Sequence, residues 1–426
     1  MNTFVATFFL FISVFGLQFA NAKDASAAQR EAAEKGDANA QLEYGKSLQE
    51  HSRSEAAKWI QKAADQGSGE AWFLLGYAGL GKLEPVFYYE KAAERIYAKA
   101  FSPLFDALIF RAGPKADVAK AKKFADLARQ KNVEIGYGSA ETFRVIDRCY
   151  EAGEPKIPSA DFPTESEKKN FRNSAQVCGT YIEGIDQDVD HVKFRKCLLS
   201  QEEQDNVSLA EVYANGWGVL RNANLAIALI CRGSSVPAEL QGMVGTLHAT
   251  KDQARLTTDF AFCDHVTSGL NSGFCAANAE KIADKRRGKE LGNIMKNWTE
   301  PQRLAFFKLR TVAKDFFDES STSEHDLSGS GRAQFIVDAQ AELRQDFLGG
   351  VKAFEDGKWP EENVDFQTAD KELNVVYSKI MKRQDFEREG TVTKEGIRAT
   401  QKKWLRYRDE WVKFASMKYP QVPSET

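Results

Sequence analysis

Apolar positions recur at helical spacing along most of the 426 residues, and alternation at a period of two is missing throughout. The pattern predicts an all-α chain. In the first part of the chain, small and apolar residues also repeat at longer range. Ala32-Ala33-Glu34-Lys35-Gly36 returns as Ala63-Ala64-Asp65-Gln66-Gly67, then as Ala92-Ala93-Glu94-Arg95. Ala40-x-Leu42-x-x-Gly45 returns as Ala71-x-x-Leu74-x-Gly76. A period of about 31 residues predicts stacked helical hairpins, each too small to bury its own apolar face alone. Small residues at fixed offsets let paired helices approach closely, and the glycine after each Ala-Ala pair ends one helix. The third copy decays after Ala100, where Phe101-Ser102-Pro103 interrupts it, and Ala119 to Ala128 reads as a closing helix.

A fuller unit lies further on, as Leu209-Ala210-x-x-Tyr213-x-x-Gly216-x-Gly218-Val219-x-x-Asn222-x-x-x-Ala226. Gly216 and Gly218 bracket a turn, and Asn222 suits a helix N-cap. These patterns resemble the Sel-one-like repeat, a relative of the tetratricopeptide repeat. Ala210 departs from that pattern, where glycine is usual. Asn222 departs where aspartate is usual. The resemblance implies a Sel-one-like solenoid segment over residues 23–150 and an isolated unit over 191–250. It also implies a concave surface for a protein or peptide. Residues 151–190 read as a linker, because Glu151 to Lys169 carries prolines, serines and charges but few apolar residues.

The C-terminal half is patterned differently. Thr299-Glu300-Pro301-Gln302 has the form of a capping box, and Phe306, Phe307, Leu309, Val312 and Phe316 supply the core of its helix. Residues 319–332, with Ser320-Ser321-Thr322-Ser323 and Gly329-Ser330-Gly331, read as a flexible linker. A long helix is expected from Ala333 to Phe354. Two further segments each hold one charge within an apolar stripe. Phe366, Ala369, Leu373, Val376, Tyr377 and Ile380 surround Asp370; Ile397, Trp404, Trp411, Val412 and Ala415 surround Arg408. Arg383 to Lys394, with Gly390, reads as the turn between them. A buried charge needs a partner, so Asp370 and Arg408 are expected to pair across an antiparallel hairpin.

The signatures Asp370-x-x-Leu373-Asn374-x-x-Tyr377 and Gln401-x-x-Trp404-x-x-x-Arg408-Asp409 resemble the LprI-type lysozyme-inhibitor family over roughly residues 363 to 415. The resemblance implies a helical inhibitor-like domain over 333–426 and a protein partner, lysozyme or another peptidoglycan hydrolase, bound by steric occlusion. No reaction is catalysed in that reading. Members often carry a cysteine just after the Arg-Asp pair; Glu410-Trp411-Val412 stands there instead. Phe262-Cys263-Asp264-His265 and Phe274-Cys275, before a helix expected from Ala276 to Trp298, also resemble the N-terminal part of that family. This implies an inhibitor-like segment over 255–318 with a Cys263–Cys275 bridge.

The N-terminus sets the compartment. Phe4 to Phe19 is almost wholly apolar and ends in Ala20-Asn21-Ala22, so residues 1–22 read as a secretory signal. No second long apolar run follows, so no stable membrane span is expected after cleavage, and the mature chain is expected in the periplasm or secreted. Cys149, Cys178, Cys197, Cys231, Cys263 and Cys275 then read as disulfide partners. Six cysteines allow 15 pairings. Cys197 and Cys231 bracket the isolated unit and would staple its ends; Cys149 and Cys178 would close the linker into a loop.

Composition excludes little else. A net charge of −3 leaves no footprint for nucleic acid. None of His51, His191, His248, His265 and His325 sits in a recognisable catalytic motif, and no cofactor is expected. His265 beside Asp264 reads either as a ligand or base, or as a ring packed against a disulfide. Asp186-x-Asp188-x-Asp190 opens like a calcium loop, but His191 and Cys197 occupy the positions that need glycine and glutamate. Lys285-Arg286-Arg287 and Lys402-Lys403 are candidate contacts to a cleft whose catalytic groups are carboxylates; equally they read as solvated helix faces. Trp404 and Trp411 read as core or as an interface hot spot. The leading expectation is an exported, non-catalytic binding protein. An envelope scaffold acting through its repeats comes second, and an uncharacterised hydrolase last.

Overall fold

The computed structural model describes residues 27–135, 138–173, 178–182, 189–357 and 366–420. The expected signal, Asp186 and Asp188 lie outside the described residues. Regular structure among the described residues is entirely helical. Residues 27–34 lead into α1 (Ala38–Ser47), α2 (Arg53–Asp65), α3 (Gly69–Tyr77) and α4 (Pro85–Glu94), each packed against its successor. Leu42, Ile60, Ala63, Ala64, Ala71, Leu75 and Tyr88 form their shared core. A Cβ at Gly45 would lie 2.6 Å from Ile60 Cγ1, so glycine sets how closely α1 approaches α2.

The repeat is most regular at the helix ends. The Asp37 amide donates back to the Ala32 carbonyl at 3.3 Å, Ser68 to Ala63 at 3.1 Å and Tyr97 to Ala92 at 3.1 Å. This closure needs one left-handed residue just before that amide. Gly36 and Gly67 supply it at φ +98°, and Ile96 supplies it at φ +58°. The motif also stands at Gly79, where the Leu80 amide reaches the Leu75 carbonyl at 3.0 Å, and at Gly216, where Trp217 reaches Val212 at 3.0 Å, and it recurs beyond the point where the repeat was expected to fade. There Asn132 stands at φ +51° and the Val133 amide reaches the Ala128 carbonyl at 2.9 Å, closing α6 (Val118–Gln130). Between these ends, α5 (Phe101–Phe105) runs into a π-helical turn over Asp106–Phe110, burying Phe101, Leu104, Phe105 and Ile109.

After α7 (Ser139–Ala152) come α8 (Glu165–Asn173) and α9 (His191–Leu198), then α10 (Asn206–Asn215), α11 (Ala223–Ile230) and α12 (Pro237–Ala249). Gly216 is left-handed after α10, and the Asn222 side chain accepts the Leu225 amide at 3.0 Å as the N-cap of α11. The described parts of Met1–Ala160 and Glu203–Phe260 form one compact unit; those of Asp161–Glu202 and Ala261–Thr426 form another. The expected isolated unit over 191–250 is therefore divided. Its α11 and α12 pack on α7 of the first repeats, while α9 belongs with 161–202.

The disulfides follow this division and correct two expected pairs. Cys149 on α7 bonds Cys231 at the end of α11, across 82 residues of sequence. Cys178 bonds Cys197, because its short helical turn Cys178–Tyr181 packs on α9. Cys263 bonds Cys275. The segment 151–190 is not a bare linker either. It holds α8, from which Glu167 pairs with Lys196 of α9 at 2.7 Å.

In the second unit, α13 (Gly269–Ile294), α14 (Glu300–Ser323), α15 (Arg332–Glu355) and α17 (Lys394–Lys418) share one aromatic core, and α16 (Phe366–Lys382) precedes α17. The sequence leaves open whether the segments 255–318 and 333–426 form one domain; the described parts of 261–318 and 333–426 lie in one compact unit. Thr299 and Gln302 form the capping box of α14. The expected linker at 319–332 is shorter than its composition implies, since α14 continues through Ser323. The Ser321 and Thr322 hydroxyls donate back to the Asp318 carbonyl at 3.1 and 2.8 Å, and Ser321 is fully buried. Serine is tolerated in a helix when its hydroxyl is satisfied in this way.

The left-handed Ile96 inverts an ordinary preference. A β-branched residue at positive φ is strained by about 1–2 kcal/mol. Ile96→Ala loses packing and keeps most of the strain, whereas Ile96→Gly removes the strain. Urea unfolding is expected to rank Ile96→Gly above Ile96→Ala by about 1 kcal/mol, the reverse of their order inside a helix.

Candidate functional site

Direction is the key to the C-terminal hairpin. Phe347 contacts Trp411 with ring centres 5.4 Å apart, and Phe354 contacts Tyr419 at 5.5 Å, so α15 and α17 run parallel. Phe306 meets Phe414 at 5.4 Å while Lys403 reaches Glu319 at 2.7 Å, so α14 runs antiparallel to α17. Helix α17 packs principally on α14. Phe414 is buried at its centre, with Trp411 and Tyr407 one and two turns away. Burial pushes the Tyr407 hydroxyl up to about 12. Burial and then the Glu355 carboxylate raise the Tyr419 hydroxyl. Sequence reading missed Tyr407, Phe414 and Tyr419. The first two lie four and seven residues after Lys403 and Tyr407 respectively, on the stripe that already held Trp404 and Trp411.

Helix α16 closes the hairpin differently from expectation. Arg408 Nη1 donates to Asp370 Oδ1 at 3.0 Å. Asn374 Nδ2 donates to the other Asp370 oxygen at 3.0 Å. Arg408 also bonds its neighbour Asp409 at 2.7 Å and lies 5.6 Å over the Trp404 ring. Four polar signature residues thus form one network on one aromatic ring. The pair is not buried, however: the Arg408 and Asp370 side chains are 24% and 39% exposed. It sits at the rim of α17. Leu373, Tyr377 and Gln401 are half-buried. Val375 and Val376 are 46% and 53% exposed. At its far end the hairpin turn is clamped to the loop after α14. The Thr391 amide donates to Asp326 at 3.2 Å, and the Leu327 amide to the Thr391 hydroxyl at 2.8 Å. No local pattern signals this clamp, whose halves lie 64 and 65 residues apart.

The candidate cations separate into two groups. Arg287 is buried and bonds Glu280 at 2.5 Å and Asp284 at 3.2 Å, so its guanidinium is engaged within the fold. Glu280 also takes Arg344 of α15 at 2.7 Å. Lys403 is turned inward to Glu319. Lys285, Arg286 and Lys402 are exposed. Burial lowers the His265 imidazole, against the opposing Asp264 charge. Asp190 caps α9, accepting the Lys193 amide at 2.9 Å. Among the described residues, no group of three or more His, Cys, Asp or Glu side chains is placed to hold a metal ion, and no helix is long and apolar enough to cross a membrane.

What the second unit's elements define is a helical body stapled by Cys178–Cys197 and Cys263–Cys275, with an open return helix on its edge; together with Cys149–Cys231 of the first unit, these disulfides point to an oxidising compartment. Residues 363–422, which span α16 and α17, match the family model described as lysozyme inhibitor LprI. No curated protein matches the chain.

The rim position of Asp370 and Arg408 predicts a modest bond. A double-mutant cycle with Asp370→Ala and Arg408→Ala, read by amide exchange of α16, is expected to give a coupling of about 0.2–1 kcal/mol, well below the cost of opening a buried pair. A second expectation concerns acid. The Lys403 ammonium, then the Ser323 hydroxyl, hold the Glu319 carboxyl below its ordinary range. The stability this adds is present above the ordinary glutamate value of about 4.3 and is lost as pH falls through the depressed folded value. The melting temperature of Lys403→Met is therefore expected to fall less steeply than wild type between about pH 5 and 3.

Proposed function

We propose that this chain is an exported, non-catalytic binding protein whose α16–α17 hairpin contacts a protein target, lysozyme or another cell-wall hydrolase, and blocks its cleft. The observation that carries the reading is a coincidence of place. The family match covers α17 and, with it, α16, the one long helix that contributes nothing to the aromatic core of its unit among the described residues. Lys371, Val375 and Lys379 stand four residues apart along α16, all exposed. This row offers an apolar contact between two cations. A hydrolase cleft that works with paired carboxylates is complementary to such a row. The periplasm is the compartment that fits both the expected signal and the target.

A second reading, an envelope scaffold acting through the repeats, is favoured by the helix-end motif that recurs six times among the described residues of the first unit.

Titrating mature protein, with disulfides intact or reduced, into a lysozyme turbidity assay tests the first reading. The intact protein is expected to slow lysis at micromolar excess. Val375→Asp with Lys379→Glu is expected to weaken that effect by roughly tenfold or more, because an apolar contact becomes a buried charge facing carboxylates. No slowing by intact protein would remove lysozyme as the target, and capture from envelope extract would then decide between another hydrolase and a scaffold.

A further inference from the structure

We propose that the first unit carries a separate groove for an acidic peptide bearing an apolar side chain. The groove, about 1080 Å³, opens between α2 and the loop of residues 79–83 after α3. Leu75 and Tyr88, both buried, line its base. Its loop wall is built in place. The Tyr88 hydroxyl accepts the amides of Lys82 at 2.7 Å and Leu83 at 3.0 Å. Gly81 lies against the Tyr88 ring so closely that a Cβ would stand 2.2 Å from it. Across the groove, Arg53 donates to the Ala78 carbonyl at 2.6 Å, fixing the other end of the loop.

The lining is unbalanced in charge. Arg53, Lys58, Lys62 and Lys82 line it against a single acid, Glu55, which pairs with Lys58 at 2.6 Å. Lys62 lies 3.8 Å over the Trp59 ring, so cation and aromatic surface are presented together. Leu83 is 57% exposed at the rim. Carboxylates satisfy the cations, and an apolar side chain covers Leu83, Leu80 and the base. A simple polyanion would satisfy only the first half of this surface. The groove lies in the first unit and owes nothing to the hairpin at residues 363–422.

The test uses the mature chain and a fluorescein-labelled peptide of alternating glutamate and leucine, read by anisotropy at low salt. Its lysine–leucine twin and an all-glutamate peptide of equal length serve as comparisons. The glutamate–leucine peptide is expected to bind best. Lys58→Glu with Lys62→Glu is expected to weaken it roughly tenfold or more, as is Leu83→Asp. Lys99→Glu with Lys115→Glu, the same charge change at exposed sites outside the groove, is expected to leave binding within about twofold. All substituted residues are exposed, so an unchanged far-UV helical signal separates lost binding from lost folding. Equal binding of the lysine–leucine twin overturns the proposal. Equal binding of the all-glutamate peptide, or an equal loss in the Lys99/Lys115 variant, also overturns it, because each marks a general attraction for anions.

Discussion

Helices α15 and α17 run parallel, and that direction dictates what the rest of the second unit must do. Parallel neighbours cannot be joined by a tight turn, so the chain has to travel back along the body before α17 begins. Helix α16 is that return leg; its 17 residues span about 26 Å at 1.5 Å per residue. The antiparallel place beside both neighbours is already taken by α14, whose Phe306 contacts Phe347 at 5.7 Å and Phe414 at 5.4 Å. The core closes among α13, α14, α15 and α17, and α16 is left on the outside. Its open apolar side chains are a consequence of connectivity, and that is why the candidate binding face lies there.

The same constraint explains why a charge in an apolar stripe turned out to mark an edge. Stripe reasoning assumes that every apolar position on one helix face is covered by the same neighbour. Helix α17 has the core helices on one side and the return helix on another. Phe414, Trp411 and Trp404 pack on the aromatic core, while Arg408 reaches the return helix. The guanidinium therefore keeps one side toward water while bonding Asp370 and Asp409. A salt bridge in that position gives register more than stability. Asn374, one turn after Asp370, narrows the register further by occupying the second carboxylate oxygen.

What was legible in the sequence was whatever is decided within a few residues. The all-α class, the capping box at Thr299, the Asn222 cap and the helix ends at Gly36 and Gly67 each rest on local chemistry. What was not legible required knowing which distant elements touch. Ile96 follows Ala92-Ala93-Glu94-Arg95 where Gly36 and Gly67 follow their own copies, but a β-branched side chain gives no sign of a left-handed backbone. The cysteine pairs show the limit most plainly. Bracketing a unit suggested Cys197–Cys231, yet α11 packs on α7 and brings Cys231 to Cys149, while α9 packs on the turn that holds Cys178. The serine run at 320–323 misled for the opposite reason: composition alone marks a linker, but hydroxyls bonded one turn back keep the helix going.

A helix held in this manner is poised for binding. Isolated helices shorter than about 12–15 residues are marginal in water, and a 17-residue helix is only slightly better placed. None of the described side chains of α16 is buried, so little tertiary packing adds to its intrinsic tendency. Its anchors include a rim ion pair and, at the turn that follows it, the polar clamp between Asp326 and Thr391. Such an element belongs to the low-stability end of a fold and opens before the core does. A partner that covers Val375 and Val376 supplies the burial the chain itself withholds. In the proposed reading, binding would add burial to a helix that is already formed. A target that offers carboxylates to Lys371 and Lys379 gains on both counts, whereas a purely apolar surface would leave the two lysines desolvated without partners.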